Sequence, residues 1–116
     1  MDDIRAPRAE KLNASFELSV RKHISETLRR HNASLSVVAT RLDSSPRTVQ
    51  RRLAELGLKY AFLCDDVRRE RAMQLVAEGR MPMAAIAAEL GYRDAGSFTR
   101  AFRRWTGDAP NRYRKK

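Results

Sequence analysis

Cysteine and long apolar segments are both scarce in this sequence. No apolar run approaches the roughly 18 residues of a transmembrane helix, and residues 1–15 lack the apolar stretch of a secretory signal. The single cysteine, Cys64, excludes an internal disulfide and offers no thiolate cluster for a metal. These absences predict a cytoplasmic protein without a membrane span, a metal site or another cofactor.

Acidic residues are also few: 14 Asp and Glu stand against 24 Lys and Arg, and the formal net charge is +10. Nineteen of the 24 are arginine, whose planar guanidinium forms paired hydrogen bonds with phosphates and guanine edges. Residues 93–116 alone carry eight basic residues and two acidic ones, a net of +6. A G+C-rich genome would also favour arginine codons, but it does not explain the net charge, which predicts a polyanionic partner.

Apolar residues recur at helical spacing from Phe16 to Trp105, and no window alternates as a half-buried strand does. The fold class is therefore expected to be all-α. Ser45 and Asp94 are placed to cap two helices, since their side-chain oxygens can accept from N–H groups of the first turn. Helix ends are expected at three glycines, Gly57, Gly79 and Gly91.

One pattern occurs twice, in residues 35–53 and 83–102. Before a turn, equivalent residues lie 48 positions apart: Leu35 and Met83, Val38 and Ile86, Ala39 and Ala87, Leu42 and Leu90. After the turn they lie 49 apart: Val49 and Phe98, Arg51 and Arg100, Leu53 and Phe102. The alanine allows two helices to cross closely, and each turn has a residue that tolerates positive φ, Asp43 or Gly91.

This repeat predicts two helix-turn-helix units. The expected organisation is a tail or interdomain linker over 1–15, a first helix-turn-helix subdomain over 16–58, a linker helix over 59–78 and a second subdomain over 79–116. In each unit the apolar face of the second helix would be buried. Its opposite face would enter the major groove of double-stranded DNA.

With these segments placed, the chain resembles the C-terminal DNA-binding domain of AraC/XylS-family transcription regulators. The matching stretches are SLSVVATRLDSSPRTVQRRL, VRRERAMQLV, MAAIAAELGY, SFTRAFRRWTG and PNRYR, and the likeness spans residues 16–114. It implies about seven helices and two recognition helices in successive major grooves. It also implies a regulator, mostly an activator, that contacts RNA polymerase.

Carried over by position, the resemblance implies two sets of site residues. Base reading is assigned to Arg47, Gln50, Arg51, Ser97, Thr99 and Arg100. Contact with the DNA backbone is assigned to Ser45, Thr48, Arg52, Gly96, Arg103 and Arg104. No catalytic or metal-binding residue is expected.

Three positions depart from the family pattern: Asp43 replaces a usual glycine, Tyr92 a usual phenylalanine, and Gly96 a polar residue, often serine. Gly96 leaves the second recognition helix fewer side chains for base reading. Members of the family usually carry a separate N-terminal domain for effector binding or dimerisation, and the first 15 residues are too few to form one. A small-molecule effector would therefore act only through a domain absent from this chain. The linker-like start favours a piece of a longer regulator over a stand-alone member.

Several residues allow other interpretations. The aromatic side chains Phe98, Phe102, Trp105 and Tyr113 could stack on nucleotides, but their helical spacing favours a core. Three arginines, Arg68, Arg69 and Arg71, are expected to form intrahelical pairs on a solvated face, although Arg68 or Arg71 could instead help to fix the angle between subdomains. His23 and His31 are expected at the surface.

Two further functions remain open at this point. DNA-alkyl-acceptor proteins contain a related domain with a nucleophilic cysteine, but Cys64 is followed by Asp65 and Asp66, which disfavour a thiolate. A helical protein–protein adaptor is the other alternative, although it would need neither the net charge of +10 nor arginines at both recognition positions. Titration with DNA separates these possibilities.

Overall fold

The computed structural model describes residues 5–29 and 33–114, with side chains from Asn13 onward. Its elements are α1 (Arg5–Thr27), α2 (Leu35–Arg41), α3 (Pro46–Glu55), α4 (Tyr60–Glu78), α5 (Met83–Glu89), α6 (Ala95–Thr106) and a 3₁₀ helix, Pro110–Arg112. The described residues contain no strand, which confirms the all-α prediction, and they form six α-helices where about seven helices were expected. His31 and residues 1–4 of the expected tail lie outside these ranges. No helix within them is both long and apolar enough to cross a membrane.

The start of the first helix was predicted wrongly. Residues 1–15 were assigned to a tail or interdomain linker, with the first apolar helical repeat beginning at Phe16, but α1 begins at Arg5 and runs for 23 residues. Apolar periodicity reports only the part of a helix that is buried, and here that part begins near Phe16, which packs against the core. The earlier residues contain no glycine, and Pro7 lies in the first turn, where proline is tolerated. A helical segment can still join two domains, so the linker assignment stays a prediction.

The two helix-turn-helix units share one turn geometry. In the first, the backbone N–H of Ser44 donates to the carbonyl of Ala39 at 2.9 Å; in the second, Tyr92 donates to Ala87 at 2.8 Å. The residue before each donor has positive φ, 55° at Asp43 and 82° at Gly91. Both alanines are buried. The hydrogen bond that closes each turn therefore joins equivalent residues, 48 positions apart in the sequence. Asp43 adopts a left-handed conformation that glycine usually occupies.

The linker helix α4 joins the two units along one continuous core. It packs against α1 on one side and against α5 and α6 on the other. Five apolar residues on its inner face are buried: Leu63, Val67, Ala72, Leu75 and Val76. Gly79 ends the helix at a φ of 66°, as its position in the sequence predicted. The two recognition helices are thus held on a shared framework rather than on a loop.

The aromatic residues of the second unit form core rather than a stacking platform. Phe98 and Phe102 are fully buried, with ring centroids 5.8 Å apart. Trp105 is partly buried against the core. Tyr113 is more exposed than expected, but its ring meets Phe102 edge-on at 5.3 Å. The burial of the two phenylalanines requires the opposite face of α6 to point outward.

Candidate nucleic-acid interface

The first recognition helix, α3, is built to expose one basic face. Val49 and Leu53 are fully buried, which turns the predicted base readers Arg47, Gln50 and Arg51 outward, and all three are exposed. The helix is strongly amphipathic over only ten residues. These exposed side chains therefore occupy the face opposite to the core, as the sequence predicted, and their role in base reading stays a prediction.

The beginning of α3 is fixed by its cap. Ser45 lies in extended conformation before Pro46, and its hydroxyl accepts from the backbone N–H of Thr48 at 3.2 Å. The Ser45 hydroxyl in turn donates to the Thr48 hydroxyl at 2.9 Å. Two of the predicted backbone-contacting residues are thus brought together at an exposed helix end. Free N–H groups at such an end favour an anion.

Arg52 has a partner that sequence reasoning missed. Its guanidinium lies 3.8 Å from the ring centroid of Phe16 on α1, within the range of a cation–π contact. The two side chains line a surface cleft together with Ser15, Ser19 and Ser44. Arg52 thus connects α3 to α1 within the first unit. Its predicted contact with a DNA phosphate remains a prediction.

The second recognition helix, α6, repeats this plan with different chemistry. Phe98, Ala101 and Phe102 are buried. The predicted site residues on the opposite side are exposed at Gly96, Arg100, Arg103 and Arg104, and half-buried at Ser97 and Thr99. The exposed cations are displaced toward the C-terminal half of the helix. Its N-terminal half offers mainly small side chains.

Asp94 organises the start of α6. Its carboxylate accepts from the backbone N–H of Ser97 at 2.7 Å, which confirms the predicted cap. Hydrogen bonds from Ser97 hold the pKa of Asp94 below its ordinary value, and the charges of Arg100 and Arg93 act in the same direction. Arg100 also donates to the Ser97 hydroxyl at 3.2 Å, so its guanidinium lies back over the first turn. To read a base, Arg100 would exchange this exposed contact for one on DNA.

Gly96 is a position where a side chain fits. A Cβ placed there would lie 3.5 Å from a carboxylate oxygen of Asp94 and 3.6 Å from a guanidinium nitrogen of Arg100, both ordinary van der Waals distances. The glycine has no positive φ that a side chain would strain. Its effect on the interface is therefore the removal of a potential contact.

We expect Gly96→Ser to raise the free energy of unfolding by about 0.5 kcal/mol, because glycine is less favourable than serine inside a helix. Chemical denaturation measures this change. In the unmodified protein, the half-site read by residues 95–104 should tolerate base changes that the half-site read by 46–54 rejects. Selection from random DNA checks this second part, and equal information content in both half-sites would contradict it.

Asp65 on the linker helix was considered in the sequence as a neighbour of Cys64 and as a partner for the arginines of the same helix, and its contacts with α6 were not predicted. One carboxylate oxygen accepts from the indole N–H of Trp105 at 3.3 Å, and the other lies 3.8 Å from Arg104. Arg104, a predicted phosphate ligand, therefore lies near a carboxylate of the linker helix that is itself about half exposed. Only the packing of α6 on α4 brings these residues together, because they are about 40 positions apart in the chain.

Cys64 lies in a setting that suppresses its chemistry. It is buried, and its sulfur is 3.8 Å from the carbonyl oxygen of Ala33. Burial raises the pKa of the thiol, and the charge of Asp65 acts in the same direction. A protonated, inaccessible thiol is a poor nucleophile. The alkyl-acceptor alternative therefore has no support at this residue.

The structure contains two helix-turn-helix units on one framework, and the outer face of each unit carries arginines. The protein therefore belongs to the class with two helix-turn-helix motifs in one chain. The model of a family described as a helix-turn-helix domain matches residues 38–116. The chain belongs to this family, as a DNA-binding domain of the AraC/XylS type.

Named relatives and solved structures agree with this assignment. The ornithine utilization regulator of Pseudomonas aeruginosa is 41% identical over 81 residues, covering 70% of this chain and 24% of that protein. A DNA-binding transcriptional dual regulator from Escherichia coli K-12 superimposes with a TM-score of 0.75 at 26% identity, covering 84% of this chain and 87% of that one. The C-terminal domain of the response regulator AraT from Geobacillus stearothermophilus gives 0.71 at 30% identity, with coverages of 85% and 83%. The chain spans about a quarter of the length of the curated relatives it matches.

Proposed function

We propose that this chain is the sequence-specific DNA-binding part of a transcription regulator and has no catalytic activity. The observation that carries the proposal is the repeated turn, since each copy leads into a helix whose buried side turns arginines outward. The net charge of +10 supplies affinity for any DNA through release of counterions. Sequence preference must then come from side chains that reach base edges.

The proposed base readers are Arg47, Gln50 and Arg51 on α3, and Arg100 with Ser97 and Thr99 on α6. Arginine paired with guanine and glutamine paired with adenine are the common bidentate contacts in the major groove. Affinity for the backbone is assigned to Arg52, Arg103 and Arg104, and to the helix starts at Ser45, Thr48 and Gly96. Two observations support placing these residues at the DNA surface. The arginines and Gln50 are exposed, and both helices begin at a side-chain cap.

A role beyond DNA binding is proposed from the family resemblance and from the greater length of the curated relatives. Activation through RNA polymerase, and an effector that acts through a further domain, are proposals supported by the resemblance. The partner proposed for the chain itself is double-stranded DNA, in the cytoplasm and at the nucleoid.

We expect one copy of the chain to protect an asymmetric site. Its two recognition helices differ in sequence, so a monomer should cover two unlike half-sites whose centres are about 10 bp apart, one helical turn. Footprinting and the binding stoichiometry at a site selected from random DNA measure this. A palindrome bound only by a dimer would contradict the monomeric arrangement, and the absence of any DNA binding would favour the adaptor alternative.

A further inference from the structure

The linker helix α4 contacts the two units through different faces. Toward the first unit, the Tyr60 hydroxyl donates to the carbonyl of Ala33 at 2.7 Å, just before α2. Toward the second, Asp65 accepts from Trp105 at 3.3 Å, and Arg68 donates to the carbonyl of Leu90 at 3.2 Å. Asp65 and Arg68 are three residues apart and so lie on one side of the helix. The relative placement of the two units therefore depends on side chains along this single element.

Arg68 contacts the turn of the second unit itself. Leu90 is the C-cap of α5, and the chain then passes through Gly91 to reach α6 at Ala95. The Nε of Arg68 bonds the Leu90 carbonyl, and its guanidinium carbon lies 5.9 Å from the ring centroid of Tyr92. Arg68 is half-buried, unlike the exposed Arg69 and Arg71 beside it. The prediction of a solvated, intrahelically paired face is thus confirmed for those two. Arg68 instead follows the alternative that the sequence left open, a contact that joins the linker helix to the second unit.

This contact is suited to hold the turn at one position. A hydrogen bond from a charged donor is stronger than one from a neutral donor, and the rigid fork of a guanidinium limits the directions in which that bond can form. A direct polar contact between the first unit and α5 is the ion pair between Arg29 and Glu89, at 2.8 Å. Arg29 is 72% exposed, so this pair is screened by salt and contributes little rigidity.

We infer that Arg68 is a positioning residue that sets the spacing between the two DNA half-sites. The inference rests on the proposed function, since it concerns how two readers on one chain meet one duplex. Adding a base pair between the half-sites moves the second by about 3.4 Å and rotates it by roughly a tenth of a turn. A second unit held by Arg68 cannot follow that movement at low cost. A unit that has lost the contact can pivot about α4 and follow it.

The test uses the selected binding site with its spacer lengthened or shortened by one and two base pairs. Affinities are measured for the unmodified chain, for Arg68→Gln and for the matched control Arg69→Gln. Both variants lose one positive charge on neighbouring residues of α4. The control leaves no carboxylate unpaired, because Asp66 keeps its 2.7 Å contact with Arg21. Any general loss of electrostatic affinity is therefore common to the two variants.

The unmodified chain and Arg69→Gln should each lose about tenfold in affinity when the spacer changes by one base pair, the size of one mismatch. Arg68→Gln should lose only about threefold or less, while its base preferences within each half-site stay unchanged. If Arg68→Gln keeps the tenfold penalty, the inference is overturned. If Arg68→Gln melts at too low a temperature for binding assays, the same measurements are made on Arg68→Lys, which keeps the positive charge but lacks the planar guanidinium. A relaxed spacer preference in that variant supports the inference, and an unchanged one overturns it.

These outcomes can be distinguished from a failure of the proposed function. If the unmodified chain binds no double-stranded DNA, the proposed function falls, and this inference falls with it. If the unmodified chain binds with a strict spacer and Arg68→Gln is equally strict, only the role of Arg68 is lost.

Discussion

Phe98→Ala is expected to lower the free energy of unfolding by about 3–5 kcal/mol, a large part of the stability of a small domain. Phe98 is fully buried on α6, with the rings of Tyr92 and Phe102 at 5.9 and 5.8 Å. Truncation removes apolar contacts and leaves a cavity that the surrounding aromatic side chains cannot fill. Chemical denaturation, followed by circular dichroism, measures the loss.

The same substitution should separate the two units functionally. Because α6 is positioned by this cluster, DNA binding should lose the contribution of the second half-site, while base preference in the first half-site persists. Leu18→Ala is the control, since Leu18 is 65% exposed and its truncation should change stability by no more than about 0.5 kcal/mol. Equal effects of the two substitutions would show that Phe98 is not a core residue.

Arg51→Ala is expected to reduce affinity for the preferred site by about 1–3 kcal/mol, roughly 5- to 150-fold, and to relax discrimination at one or two base pairs. Arg51 projects from the outer face of α3, where a bidentate contact with a base edge is possible. Binding to a set of single-base variants of the site, with the salt concentration held constant, measures both effects.

Arg104→Ala provides a closely matched comparison. Both side chains are about two-thirds exposed, Arg51 at 68% and Arg104 at 65%, and each lies just under 4 Å from a carboxylate, Glu55 or Asp65. Loss of these surface pairs should affect stability equally little. Arg104→Ala should weaken binding to all sequences alike and lower the salt slope by about 1. The same sequence profile for both variants would refute the division between base reader and phosphate ligand.

Many local features of this structure could be predicted from short stretches of the sequence. The caps at Ser45 and Asp94, the helix end at Gly79 and the two positive-φ turns at Asp43 and Gly91 were all predicted and are confirmed. Each depends on a few neighbouring residues whose backbone preferences and hydrogen-bonding groups are visible in the sequence. The outward direction of the two recognition faces was predictable for a related reason, since burying an apolar stripe on a helix also orients the side chains opposite to it.

Only the tertiary structure decided how the pieces are joined. The contact of Arg52 with Phe16, the double role of Asp65 and the bond from Arg68 to Leu90 connect residues from 22 to 40 positions apart. A charged residue on a helix has the same local pattern whether it faces solvent or the turn of another helix, so periodicity could not decide between Arg68 and Arg71. The start of α1 at Arg5 was missed because apolar periodicity marks burial, and a helix can extend beyond the surface that it buries. Which side chains meet across helices depends on how those helices pack, and the packing is a property of the whole chain rather than of any segment.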